Sequence, residues 1–259
     1  KDETSSDMPE NAMRKDGLTV YPIQTKNFPE AKLSLKAPTA SDVDPGSFDF
    51  KFAVENYELK KGTPDADMHN LAESEKGQHI HFIVNNGPYQ AKYKPNFEAT
   101  MDEAGYYTVF SFLSRSYHES VKNPNAFVIK QFKVGDPEEG MQADLSKPHL
   151  FYSRPKGTYT PGEYDKLLLD FYPVNVETMG DNGYKVEATI NESTTFTFTE
   201  HKPYVIEGLE AGELSVKLRL LDENGELVDS KFSEVTRQVT LEGSKEDTQK
   251  SMDNSKKES

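Results

Sequence analysis

The segment FAVENYE at 52–58 returns as FYPVNVE at 171–177, with Phe, Asn and Glu in the same places. The pairing continues downstream: IHFIVN at 80–85 falls on VEATIN at 186–191, and Glu103-Ala-Gly105 falls on Glu210-Ala-Gly212, each just ahead of a strand-like run. A unit that recurs once constrains the chain to two copies of one small fold. The unit is β, because short Val, Phe, Tyr and Thr runs alternate with Gly, Pro, Asn and Asp clusters and no long amphipathic helix interrupts them. In the first copy the pattern predicts strands at 31–36, 48–59, 78–85, 89–93, 106–113 and 126–134. The stretch GDPEEGMQADLSKP at 135–148 then breaks it with Gly, Pro and charge, as linkers do. The expected division is a flexible N-terminal tether at 1–27, a sandwich at 28–135, a linker at 136–148, a second sandwich at 149–242 and a disordered tail at 243–259.

Glu103-Ala-Gly105-Tyr-Tyr107 has the acidic-x-Gly-x-Tyr spacing. It resembles the start of strand F in immunoglobulin-like sandwiches, where the Tyr hydroxyl closes a corner on the backbone. The resemblance implies an all-β chain of two tandem immunoglobulin- or fibronectin-III-like domains. Leu214 stands in place of Tyr107 in the second copy, so that corner must be held differently there.

The segment GQHIHFIVNNGPYQAKY at 77–93 reads as strand, tight turn and strand, with Asn85-Asn86-Gly87 supplying residues that tolerate positive φ. Alternation puts Ile80, Phe82 and Val84 on one face, as core, and His79, His81 and Ile83 on the other. The second copy carries Lys185 and Glu187 at the two histidine positions, so the strand does not need imidazoles to fold. If 78–85 is strand C and 106–113 is strand F, antiparallel pairing sets the start of C beside the end of F. The loop SRSYHESVKNPN at 114–125 then hangs over His79, where the second copy has a plain DENG turn. The polar loop 60–76, with Asp65, Asp67, Met68 and His69, arrives at the same end. The unusual residues are therefore expected to converge on one tip of the first domain, as binding loops do on a rigid sandwich.

Two His one residue apart on a strand, with a third from a facing loop, suit Zn or Cu, since neutral imidazoles converge without thiolates. His79, His81 and His118 are the expected ligands, with His69 or Glu119 as a fourth; the alternative is an ordinary amphipathic pair on a half-exposed sheet face. A second chemistry is an anion or phosphopeptide cradle in the loop 114–118, from Ser114, Arg115, Ser116 and His118 with the guanidinium as bidentate donor, and with Tyr117 and Glu119 as further ligand-binding residues. SRSYH is similar to the Ser-Arg-x-His of forkhead-associated phosphothreonine-binding domains, but it has one inserted residue and lacks the flanking Gly-Arg and Asn-Gly elements. Tyr89 and Tyr93 are expected to wall the site. Ser116, His118 and Glu119 lie too close in one loop for a hydrolytic triad, so no enzyme is expected.

The net charge of −14 argues against a phosphate-backbone partner, which needs clustered Lys and Arg. The absence of Cys excludes disulfides and thiolate ligands. The opening Lys1-Asp2-Glu3 with its polar continuation resembles mature lipoproteins of Bacteroidota-type bacteria just after the acylated Cys. That implies a lipidated Cys before Lys1 and the outer face of the outer membrane; a periplasmic location is the alternative. QHIH at 78–81, GPY at 87–89 with Tyr93, and RSYHES at 115–120 resemble a poorly characterised bacterial envelope family, with a companion domain opening at FYSRPKG, 151–157. The resemblance implies a surface lipoprotein acting as a binding or accessory module. Its partner would be an outer-membrane complex or an extracellular ligand. The alternative is a Zn- or Cu-binding envelope protein.

Overall fold

The structure, a computed structural model, describes residues 9–243. An N-terminal hairpin, β1 (Met13–Lys15) and β2 (Leu18–Pro22), precedes the first sandwich. That sandwich comprises β3 (Lys32–Ala37), β4 (Asp42–Val43), β5 (Gly46–Glu55), β6 (His79–Val84), β7 (Gln90–Lys92), β8 (Asn96–Met101), β9 (Gly105–Ser114) and β10 (Phe127–Val134). The second comprises β11 (His149–Arg154), β12 (Gly157–Tyr159), β13 (Leu167–Val174), β14 (Lys185–Ile190), β15 (Thr194–Phe198), β16 (Tyr204–Glu207), β17 (Gly212–Leu221) and β18 (Glu234–Leu241).

The two units share one topology. A sheet β3-β5-β8 faces β4-β10-β9-β6-β7, and β16-β13-β11 faces β12-β18-β17-β14-β15. In each, a short strand (β4, β12) joins the last strand in parallel while the others pair antiparallel. This is the immunoglobulin-like arrangement, twice. The first core gathers Phe50, Ile80, Phe82, Val109, Leu113 and Phe132, and the second Leu150, Phe171, Val186, Ile190, Val216 and Leu218. The repeat reaches backbone detail: Asn85 and Asn191 both adopt positive φ, and each side chain accepts the N–H of a strand-F residue, Thr108 and Ser215. Tyr107 donates its hydroxyl to the Glu103 carbonyl at 3.1 Å, the corner that its spacing predicts. Strand β8 was not among the strands expected, because NFEATM sits between a Lys-Pro turn and an acidic cluster and carries little β-branched character.

Residues 13–22 are not part of a flexible tether. The stretch LTVYP alternates sides, and β2 pairs antiparallel with β16 of the second sandwich, Ile206 opposite Val20. Val20 is fully buried in the second core, and the Tyr21 hydroxyl donates to Glu207 at 2.6 Å. This edge pairing makes β1-β2-β16-β13-β11 one sheet, so the first sandwich is inserted between two strands of the second. Lys1, Asp2 and Glu3, and the tail from 244, lie outside the described residues.

The two sandwiches are not separated by a free linker. Ile83, Phe110 and Phe112 from the outer face of the first β9-β6 sheet pack on Phe151, Tyr172, Val174 and Phe232, with Ala143 of the linker wedged among them. The Phe110 and Phe151 rings stack at 4.2 Å. Ala143 is pinned by a two-way amide exchange with Gln131, whose Oε1 accepts its N–H at 2.7 Å and whose Nε2 donates to its carbonyl at 3.1 Å. The face expected to be half exposed is thus covered by the second domain, and His79 and His81 have no solvent exposure at all.

Candidate functional site

The site starts from strand register. β6 and β9 pair antiparallel with His79 opposite Ser114, the last residue of β9, so the next turn of chain folds over the two imidazoles. That turn is built the same way in both copies. Arg115 N–H donates to the Glu119 carbonyl and His118 N–H to the Arg115 carbonyl, each at 2.9 Å; Asp222 and Gly225 make the equivalent bonds at 2.8 and 3.0 Å. Gly225 takes φ +79° there, and His118 is held at φ +69° in the same position. A non-glycine residue costs roughly 1–2 kcal/mol in that region, so the first copy spends conformational energy to put an imidazole where the second uses glycine.

Three ring nitrogens meet. His79 Nε2 lies 2.9 Å from His81 Nε2 and 3.2 Å from His118 Nδ1, and all three are within 4.8 Å of one another. His79 Nδ1 faces the Gly77 carbonyl at 2.8 Å. A carbonyl only accepts, so Nδ1 carries the proton and Nε2 presents a lone pair. Gly77 can aim that carbonyl because it sits at φ +76°, with the Lys61 carbonyl 2.6 Å from where a Cβ would be. One lone pair is therefore faced by two nitrogens, either of which can donate a proton to it in the matching tautomer. His81 Nδ1 lies 3.3 Å from the hydroxyl of Ser153, which reaches in from the second domain.

Burial, opposed by the Gly77 bond and reinforced by the Arg154 charge, pushes the His79 imidazole down to about 4. His81 and His118 are depressed further, first by burial and then by neighbouring charges including Arg154 and Lys156. All three rings are neutral at neutral pH, the form that ligates.

Tyr89 stacks on His81 with ring centroids 3.6 Å apart and planes 8° from parallel, and its hydroxyl lies 3.2 Å from His118 Nδ1. The Tyr93 ring is 5.0 Å from His79, and its hydroxyl is 2.6 Å from the Ser74 hydroxyl. Lys156 closes the other side, its ammonium 4.2 Å from the Tyr89 ring and donating to the Tyr89 carbonyl at 2.6 Å, and Arg154 lies 5.4 Å from the same ring. In the sequence, Ser153, Arg154 and Lys156 mark only the opening of the companion domain. The signal that they cover the site is tertiary and has no trace in sequence spacing.

The rest of the loop does other work. Arg115 forms an ion pair with Glu119 at 3.0 Å and donates to the carbonyls of Ser120 and Lys26. Ser116 exchanges backbone and hydroxyl bonds with Thr63, and the Tyr117 hydroxyl donates to Asp65. These contacts occupy the terminal nitrogens of Arg115, the Ser116 N–H and the Tyr117 hydroxyl, and Arg115 Nε is buried, so Arg115, Ser116, Tyr117 and Glu119 fasten the loop instead of presenting it. Glu119 also meets Lys122 at 3.2 Å, and His69 pairs with Asp65 at 3.2 Å, so neither is the fourth ligand. The site is not an open tip: it lies on a sheet face between the two domains.

No family model and no curated protein matches the sequence. Solved structures similar in part include the fibronectin(III)-like modules of Clostridium thermocellum CbhA, at 8% identity and TM-score 0.29 over 81% of this chain and 94% of that one. The two tandem V-type regions of the chitin-binding protein VCBP3 match at 8% identity and TM-score 0.24, over 82% of this chain and 100% of that one. The Bacteroides ovatus protein SGBP-B, in complex with a mixed-linkage heptasaccharide, matches at 12% identity and TM-score 0.22, over 81% and 47%. At such similarity no activity passes from these proteins to this chain. No helix among the described residues is long and apolar enough to cross a membrane.

Proposed function

We propose that this chain is a binding module that holds one first-row transition metal ion, Zn(II) or Cu(II), on His79, His81 and His118. The observation that supports it is the convergence of three neutral imidazole nitrogens within 4.8 Å of one another, two of the separations, 2.9 and 3.2 Å, lying close to the edge of about 3.3 Å expected between ligands of a tetrahedral ion with bonds of 2.0–2.1 Å. Two outer contacts orient the rings as ligating histidines require: the Gly77 carbonyl takes the His79 Nδ1 proton, and the Ser153 hydroxyl lies 3.3 Å from His81 Nδ1, where it accepts that ring's proton in the tautomer that ligates through Nε2. Imidazole-only ligation suits Zn and Cu. The sequence resemblance at Lys1-Asp2-Glu3 supports carriage of this module on the outer face of the outer membrane by a lipid anchor.

The test is elemental analysis of the full chain, purified without an affinity tag and dialysed against Zn(II) or Cu(II). One tightly held equivalent is expected, and its loss in His81→Gln, in a protein that keeps its wild-type circular dichroism, supports the site. Metal content well below one equivalent under both conditions sinks the reading.

A further inference from the structure

The charge around the three rings is of one sign. The Tyr89 ring, stacked on His81 at 3.6 Å, has the Lys156 ammonium 4.2 Å from its centroid and the Arg154 guanidinium carbon at 5.4 Å. Neither cation is paired with a carboxylate among the described residues; Arg154 donates to the Tyr159 hydroxyl and Lys156 to the Tyr89 carbonyl. No acidic side chain joins the histidine cluster among the described residues either. Arg154 depresses all three imidazoles and Lys156 depresses His81 and His118, on top of the larger effect of burial. A neighbour that repels a proton from a ring repels a metal cation on that ring in the same way, and a doubly charged ion about twice as strongly as a singly charged one. Burial adds to the difference, because the Born cost of taking an ion out of water rises with the square of its charge. His79 and His81 have no solvent exposure.

The donors available point the same way. Zn(II) takes four ligands and Cu(II) a tetragonal set, whereas Cu(I) is satisfied by three imidazoles. A fourth protein donor is missing among the described residues around the cluster. Tyr89 lies 8° from parallel to His81, which holds its oxygen out of the plane in which an ion on His81 would lie, and its hydroxyl faces Arg154 as well as His118. The Ser153 hydroxyl sits at His81 Nδ1, the nitrogen away from the cluster, while His69 and Glu119 are held by Asp65 and by Arg115 with Lys122.

We propose that the ion this site holds most tightly is copper as Cu(I), on three imidazoles with no fourth protein ligand, in preference to Zn(II) or Cu(II). The inference rests on the metal reading above and concerns which ion the three histidines keep. Arg154 and Lys156 act as the selecting charges: they touch no ion, and they penalise the divalent states more than the monovalent one.

The test uses the full chain, purified without an affinity tag and loaded anaerobically with one equivalent of Cu(I). It is expected to keep that copper against one equivalent of Zn(II). The midpoint of its bound copper couple is expected to lie at least about 59 mV, a tenfold preference for Cu(I), above that of copper in excess free imidazole, which supplies the same donors in water. Lys156→Glu changes no ligand and turns one of the two cations into an anion; it is expected to lower the midpoint by at least as much. Lys156→Met, which keeps the stem beside Tyr89, is expected to lower it by less, and carries the comparison if the glutamate variant does not fold. A midpoint at or below the imidazole control, displacement of Cu(I) by Zn(II), or a midpoint that neither variant moves overturns the selection of Cu(I) and leaves the three-histidine reading standing. Failure to hold one equivalent of Cu(I), Cu(II) or Zn(II) overturns both.

Discussion

Replacing Asp170 should loosen the proposed metal site without touching a histidine of it. Asp170 sits in β13 of the second domain, fully buried, and accepts the Ser120 N–H at 2.9 Å, the Ser120 hydroxyl at 3.1 Å and the Lys122 ammonium at 2.6 Å. These three bonds tie the end of the His118 turn to the neighbouring domain. Asp170→Ala strands the Ser120 N–H and removes one of two carboxylates from Lys122, which retains Glu119 at 3.2 Å. Breaking a buried pair costs about 3–5 kcal/mol, and the lower end applies because Lys122 keeps a partner and some water access. About 3 kcal/mol corresponds to roughly 6–12 °C in the melting temperature of a body this size that unfolds as one unit. Asp170→Asn keeps the shape and an acceptor but loses charge assistance, and should cost about 1–2 kcal/mol. The measurements are urea unfolding of the metal-free protein and Zn(II) affinity by calorimetry, on wild type and both variants. Stability and affinity should fall in the order wild type, Asn, Ala. An Asp170→Ala protein within about 0.5 kcal/mol of wild type, with unchanged affinity, would refute the idea that this contact holds the turn.

His118→Gly should abolish metal uptake yet leave metal-free stability within about 1 kcal/mol of wild type, because relief of the left-handed backbone offsets the lost ring; chemical unfolding and metal analysis read the two effects separately. Acid should destabilise the metal-free protein. Burial lowers the folded His79 value to about 4 from 6.5, so its contribution is fully present above pH 6.5 and drains away as pH falls toward 4, by up to about 1.4 kcal/mol per pH unit. His79→Gln should make the urea midpoint less steep against pH over that window, the remaining slope coming from His81 and His118, and an unchanged slope would count against a neutral buried ring. Deleting residues 1–22 should destabilise the second sandwich by several kcal/mol, since it uncovers β16 and removes Val20 from the core. An unchanged melting curve would count against the docked hairpin.

Much of the architecture was readable because it is local or repeated. The paired asparagines at positive φ, the Tyr107 corner and the antiparallel register that brings His118 over His79 all follow from spacing. What escaped depends on partners far away in the chain. LLLDFYPV at 167–174 is apolar on both faces, which signals double burial, yet nothing in it says that Phe110 and Phe112 are the cover. LTVYP at 18–22 is a short alternating run whose partner lies near residue 205. Arg115 reads as a free guanidinium because the carbonyls that satisfy it, from Ser120 and Lys26, are brought to it only by the fold. The histidines were legible as a group, but their burial was not.

For the ion proposed above, the insertion of one sandwich between two strands of the other would govern how quickly it leaves. Because β2 and β11 belong to one sheet, the first domain is stitched to the second at both of its ends. Ser153, Arg154 and Lys156 therefore cannot swing away on a single hinge as a lid does. Uncovering His79 and His81 requires the Phe110–Phe151 layer to part across its breadth, a sub-global opening and not a loop motion. Exchange with an external chelator should consequently be limited by that opening and become independent of chelator concentration, giving the ion a residence time set by the packing of two sheets and not by the strength of its own bonds.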